Sequence, residues 1–185
     1  MSKKNKLAVV QAPEKLLRLD IGCGPNTKEG FEGVDAIAFG QTYHWDVRAP
    51  WPIADQSVEE IHSSHFLEHL TGAERCAFFD EAHRVLIPDG KMLIICPHAF
   101  NICAYGDPTH QWPPVTEWTF QYTNEPWRKG NAPHVNMKCN FDFFYGYSTD
   151  GDIGTRNQEY QQFAIRHYNN AIRDIHVTMV KKPNL

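Results

Sequence analysis

No apolar run in the 185-residue sequence approaches the roughly 18 residues of a membrane-crossing helix. A membrane-spanning protein is therefore not expected. Cysteine is sparse and scattered. Cys23, Cys76, Cys96, Cys103 and Cys139 form no CxxC pair. An odd count without a secretion signal excludes a disulfide framework and fits reduced thiols in a cytoplasm. Met1–Lys6 is polar and basic, and Leu7–Val10 is too short for the apolar core of such a signal. Excess positive charge is also lacking. Lys and Arg total 18 against 22 Asp and Glu, for a net charge of −4 and a pI near 6.2. That opposes a broad electrostatic grip on nucleic acid or anionic lipid, but leaves room for a nucleic-acid substrate held by a local patch. Internal repeats and low-complexity tracts are absent as well.

What is present reads as a folded chain. Hydrophobic residues make up 42%, charged residues 22% and aromatics 12%, which suffices for a core. Residues 1–15 read as a flexible lead-in and 16–185 as one domain. A short apolar run predicts a strand at 16–21, and further short strands are read at 33–37, 43–47 and 58–63, with the chain turning helical from His65. Thr71 and Glu74 have the Thr-x-x-Glu spacing of a capping box. Phe78, Phe79, Ala82, Val85 and Leu86 then give an apolar face at helical spacing. Pro88-Asp89-Gly90 is expected to stop that helix. Lys91–Cys96 reads as a strand covered on both faces of a parallel sheet. Strands at 140–147 and 175–180, a polar helix over 156–172 between them, and an antiparallel end complete an α/β fold with a mostly parallel sheet.

The chemistry centres on a glycine turn. Leu19-Asp20-Ile21-Gly22-Cys23-Gly24 follows a predicted strand, where glycines let the backbone turn sharply and a ligand come close. Asp35 closes the next strand, where a carboxylate accepts from ribose hydroxyls. Asp46 closes the third, within reach of an adenine amino group. The turn lacks both GxGxxG and a GKS/T ending, which disfavours dinucleotide pyrophosphate and nucleoside triphosphate.

These segments resemble a known family. Residues 19–24 look like motif I of the class I S-adenosylmethionine-dependent methyltransferases. Asp55–Leu70 is similar to their fourth strand and following helix. Arg84-Val85-Leu86-Ile87-Pro88-Asp89-Gly90-Lys91-Met92 resembles the RVLKPGG turn before their fifth strand, with Ile87 and Asp89 as departures. Asp107-Pro108-Thr109-His110 resembles a segment of a small subgroup of the family. The resemblance implies a Rossmann-like fold with an antiparallel terminal strand, and S-adenosylmethionine as cofactor. It puts the methionine over Asp20, Gly22, Cys23 and Gly24, the ribose near Asp35, and the adenine near Asp46 and Val47. One departure is visible in the spacing: between Asp20 and Asp35 only Asn26–Glu32 is left for a connecting helix, a turn or two at most.

A rival reading exists. His65-Phe66-Leu67-Glu68-His69 matches H-x-x-E-H, with two histidines as zinc ligands and Glu68 as base of a hydrolase. Against it, such stretches occur in methyltransferases without a metal role, and no metal is expected. Leu67 and Leu70 then pack on the sheet and His69 faces solvent, while His65 at the strand end lines the cofactor or acceptor pocket. Residues 98–135 form an aromatic-rich insertion whose Trp112, Trp118, Phe120, Tyr122 and Trp127 either seal the core or stack on a planar acceptor. His110 within it is a candidate base beside His65. No NPPY, DPPY or Pro-Cys signature of nucleobase methylation is present, so a small-molecule acceptor is expected. A non-catalytic S-adenosylmethionine-binding protein is the remaining alternative.

Overall fold

The computed structural model describes residues 15–184; all but the last residue of the expected lead-in lies outside them. Strands β1 (Leu17–Ile21), β2 (Glu32–Asp35), β3 (Tyr43–His44) and β4 (Val58–Ser64) come first. Helix α1 (Gly72–Val85) leads into β5 (Leu86–Pro97). The short helices α2 (Cys103–Gly106), α3 (Glu117–Gln121) and α4 (Glu125–Asn131) follow. Then come β6 (Phe141–Thr149), α5 (Gly151–Gly154), α6 (Gln158–His167) and β7 (Ile172–Lys181). The strands form a seven-stranded sheet in the order β3-β2-β1-β4-β5-β7-β6. The first five run parallel, and β7 is antiparallel to both β5 and β6. This is the expected α/β sheet, with β7 inserted between β5 and β6.

The central strands are buried because both faces carry apolar residues: Leu19, Ile21, Val58, Ile61, Met92 and Ile94 are all inaccessible to solvent. Helix α1 starts where the capping box starts it. Thr71 Oγ1 accepts from Glu74 N, and Glu74 Oε2 accepts from Thr71 N at 2.8 Å. Its apolar face buries Phe78, Phe79, Ala82 and Val85. From there a chain of rings runs through the core. Trp51 meets Phe78, Phe79 meets Phe120, and Phe120 meets Phe143, with centroids 5.5, 6.0 and 6.3 Å apart. The aromatic insertion is thereby bound to both α1 and β6.

Several boundaries differ from the sequence expectation. The polar helix expected over 156–172 is shorter, Gln158–His167, and Ile172 already belongs to β7. His65 has φ +52°, in the left-handed region, so no helix starts there; only a 3-10 turn, Leu67–His69, precedes Thr71. The third strand is two residues long because Asp46 Oδ1 accepts from Arg48 N at 3.0 Å, closing an Asx turn. Helix α1 ends at Val85 rather than at Pro88. Leu86 already pairs with Val58, and Pro88-Asp89-Gly90 becomes an irregularity inside β5. No helix connects β1 to β2, as the spacing predicted.

Candidate functional site

The parallel strands all end at one edge of the sheet, and the chain reverses direction there between β1 and β4. Gly22 and Gly24, at φ +70° and +55°, carry the backbone off β1 in a conformation that side chains resist. Gly22 N and Cys23 N both donate to Val34 O. Asp35, ending β2, reaches back to hold the turn. Its Oδ2 accepts from Gly24 N at 2.9 Å and its Oδ1 from Ile37 N at 2.8 Å. Asp20 points the other way. Only 4% exposed, it accepts from Lys28 N at 2.8 Å and pairs with His62 Nδ1 at 2.6 Å, tying β1 to β4.

A cleft of about 210 Å³ opens beyond this turn. Gly22, Asp35, Asp46 and Val47 line it, so the structure brings four of the sequence-selected residues together. Asp20, Cys23, Gly24 and His65 are not among its lining. Arg48, Phe66, His69 and Leu70 are, and sequence reasoning did not assign these to the cofactor. Arg48 clamps the Asp46 carboxylate through Nε at 2.9 and 3.0 Å and Nη2 at 2.6 Å, which holds that carboxyl below the usual range. The spacing of two between them is the only sequence signal. Phe66 lies directly over Gly22: a Cβ there would sit 2.3 Å from its ring.

A second, larger cavity of about 670 Å³ adjoins the first and is lined by His65, Glu68, His69, His110, Arg173 and Asp174 together with the α2 segment. His69 lines both spaces. It is half-buried, its ring 4.9 Å from that of His110, which corrects the expectation that it faces solvent. His65, half-exposed, has Nδ1 3.6 Å from Glu68 Oε1, and that contact raises its pKa. His110 Nδ1 is 3.2 Å from Ala104 O. Thus His65 and His110 line one cavity, together with Glu68 and His69. Arg75 supports this wall from α1. It is 3% exposed and donates to Leu67 O at 3.1 Å, Pro113 O at 2.5 Å and Gln111 O at 3.3 Å. The insertion divides accordingly. Residues around 102–110 line the cavity, Phe120 seals the core, and Trp112 and Trp118 are 77% and 63% exposed.

Ligands of such sheets bind outside the carboxyl ends of the strands, where the strand order reverses, and both cavities lie at that edge. Residues 26–94 match the family profile described as a methyltransferase domain. Solved structures agree. A SAM-dependent methyltransferase from Archaeoglobus fulgidus superimposes with a TM-score of 0.60 at 17% identity, covering 92% of this chain and 88% of that one. The fold is that of the class I S-adenosylmethionine-dependent methyltransferases. A second such enzyme, from Methanosarcina mazei, gives a TM-score of 0.55 at 14% identity over 95% of this chain and 96% of the other. Geranyl diphosphate C-methyltransferase of Streptomyces coelicolor, solved with Mg2+, geranyl diphosphate and S-adenosyl-L-homocysteine, gives 0.51 at 13% identity, over 94% and 74%. No curated protein matches the chain. The profile match begins just after the Gly22–Gly24 turn and ends within β5. Among the described residues no helix is long and apolar enough to cross a membrane.

Proposed function

We propose that this chain binds S-adenosylmethionine in the cleft beside Gly22 and transfers its methyl group to a small acceptor held in the adjoining His65–His110 cavity. The observation carrying this reading is the position of the Asp35 and Asp46 carboxylates around one cleft at the switch point of the sheet. The donor set suits the cofactor. Two carboxylates accept from ribose hydroxyls and an amino group, while Val47, Phe66 and Leu70 offer apolar cover for a purine. Open space over Gly24, where a Cβ would meet nothing within 4 Å, leaves room beside the turn. When bound, the cofactor supplies a methyl group already activated by its sulfonium.

The residues of the chain then have to orient the acceptor and exclude water. In this reading Asp35 releases Ile37 N or Gly24 N to take the ribose, Asp46 exchanges Arg48 for the adenine amino group, and Phe66 swings off Gly22. His65 and His110 face the acceptor. A His65 pKa raised by Glu68 makes it a stronger proton acceptor, suited to an acceptor hydroxyl or amine. Five free cysteines among the described residues fit a reducing compartment, and we place the enzyme in the cytoplasm.

Calorimetric titration with S-adenosylhomocysteine is expected to show saturable one-to-one binding and a rise in melting temperature. Folded protein giving neither at millimolar ligand sinks the reading. Asp46→Ala is expected to weaken that binding roughly ten- to a hundredfold, since a hydrogen bond to a charged group contributes about 1.5–3 kcal/mol. Arg48→Ala should leave affinity equal or higher, because it frees the same carboxylate. Equal affinity in wild type and Asp46→Ala removes Asp46 from the site.

A further inference from the structure

Three side chains able to ligate a metal come together where the two cavities meet. One ligand atom each from Glu68, His69 and His110 lies within 4.8 Å of the others. The Glu68 side chain is 6% exposed, and its Oε2 is buried with no hydrogen-bond partner. A buried carboxylate oxygen in that condition is costly unless a cation meets it. The ring nitrogens are set to meet the same need. His110 Nδ1 sits 3.2 Å from Ala104 O, which can only accept, so Nδ1 donates; Nε2, with Asp107 Oδ2 4.0 Å away and beyond hydrogen-bond reach, has a lone pair in the neutral ring. Thr109 Oγ1 donates to Asp107 Oδ1 at 2.6 Å and therefore accepts from His69 Nδ1 at 3.0 Å, which leaves His69 Nε2 bare as well. A backbone carbonyl and a hydroxyl–carboxylate relay are the kinds of outer partner that metal-binding histidines use.

We infer that Glu68, His69 and His110 form a binding site for one divalent transition-metal cation at the junction of the two cavities. Two imidazoles and a carboxylate are the donor set of His2Glu zinc sites and of two-His-one-carboxylate iron sites, whereas magnesium and calcium prefer oxygen alone. Tetrahedral ligands at ~2.1 Å from zinc stand about 3.4 Å apart, so the three groups close in by no more than about 1.4 Å from their 4.8 Å limit. Open coordination positions then face the 670 Å³ cavity, where an acceptor oxygen would fill them. The set differs from the H-x-x-E-H reading: Glu68 is a ligand rather than a base, and His110 replaces His65. It departs from the expectation of no metal, and it does not depend on the methyltransferase reading.

Chelator-stripped full-length protein titrated with Zn2+, and separately with Co2+, tests it. One equivalent is expected to bind, with Co2+ developing visible d–d absorption of nitrogen–oxygen ligation. His110→Ala and the isosteric Glu68→Gln are each expected to weaken binding by more than the 10- to 100-fold that loss of an outer partner costs. His134→Ala, on an exposed loop, should bind like wild type. Circular dichroism confirms that each variant is folded. Absence of stoichiometric binding by the wild type at about 100 μM metal, or equal affinity in wild type, Glu68→Gln and His110→Ala, overturns the site.

Discussion

Arg75→Ala is expected to destabilise the fold by about 3 kcal/mol, or more if its partners stay dry. Burial already depresses the pKa of this guanidinium, and its donors satisfy carbonyls of Leu67, Gln111 and Pro113 in two separate segments. Leaving the buried Leu67 carbonyl without a donor costs about 1–3 kcal/mol, and the part-buried carbonyls of Gln111 and Pro113 add a smaller loss because water reaches them. For a domain of this size 1 kcal/mol corresponds to roughly 2–4 °C, so a drop of about 6–12 °C in melting temperature is the expected reading. Arg75→Lys should recover only part of it, because an ammonium cannot span carbonyls arranged for a planar fork. A melting temperature within 2 °C of wild type for Arg75→Ala would show that the carbonyls find water and that the arginine is dispensable.

Gly22→Ala is expected to be nearly as damaging, for two separable reasons. The residue sits at φ +70°, which costs a side chain about 1–2 kcal/mol. The new methyl would also collide with the Phe66 ring, only 2.3 Å away, and such overpacking costs about 1–3 kcal/mol. A double-mutant cycle separates them. In a Phe66→Ala background the collision vanishes and Gly22→Ala should cost only the backbone share. Chemical denaturation of the four proteins gives the coupling. Additive losses would mean that the ring moves aside freely.

Local signals carried the fold well. Thr71 and Glu74 act within one turn, so their spacing alone located α1. The run that became the end of β5 was legible because Met92–Cys96 is continuously apolar, whereas β4 and β7 show buried apolar positions interleaved with polar ones. The start of the helix after β4 was not legible: nothing in the identity of His65 announces φ +52°. At the site, Asp35, Asp46 and Val47 could be read because strand ends recur in a fixed order. Asp20 could not. A strand residue faces one side or the other by register, and pairing with His62, 42 residues away, turned it inward. The meeting of His69 with His110 likewise depends on the path of the whole β5–α2 excursion, which no local pattern encodes. Arg75 was hidden for a similar reason, since a mid-helix arginine usually reads as solvated surface.

The insertion of β7 between β5 and β6 has a consequence for biosynthesis. Among the described residues β6 pairs with β7 alone, yet it leaves the ribosome first. At roughly 5–20 residues per second its only partner follows seconds later, after α5 and α6 have emerged. Through that interval β6 carries Phe143, Phe144 and Tyr145 with both edges open, the condition in which strands find the wrong neighbour. When β7 arrives it zips onto β5 and β6 together, so the sheet closes in one late step and the nascent chain spends its most adhesive moments with its penultimate strand unjoined.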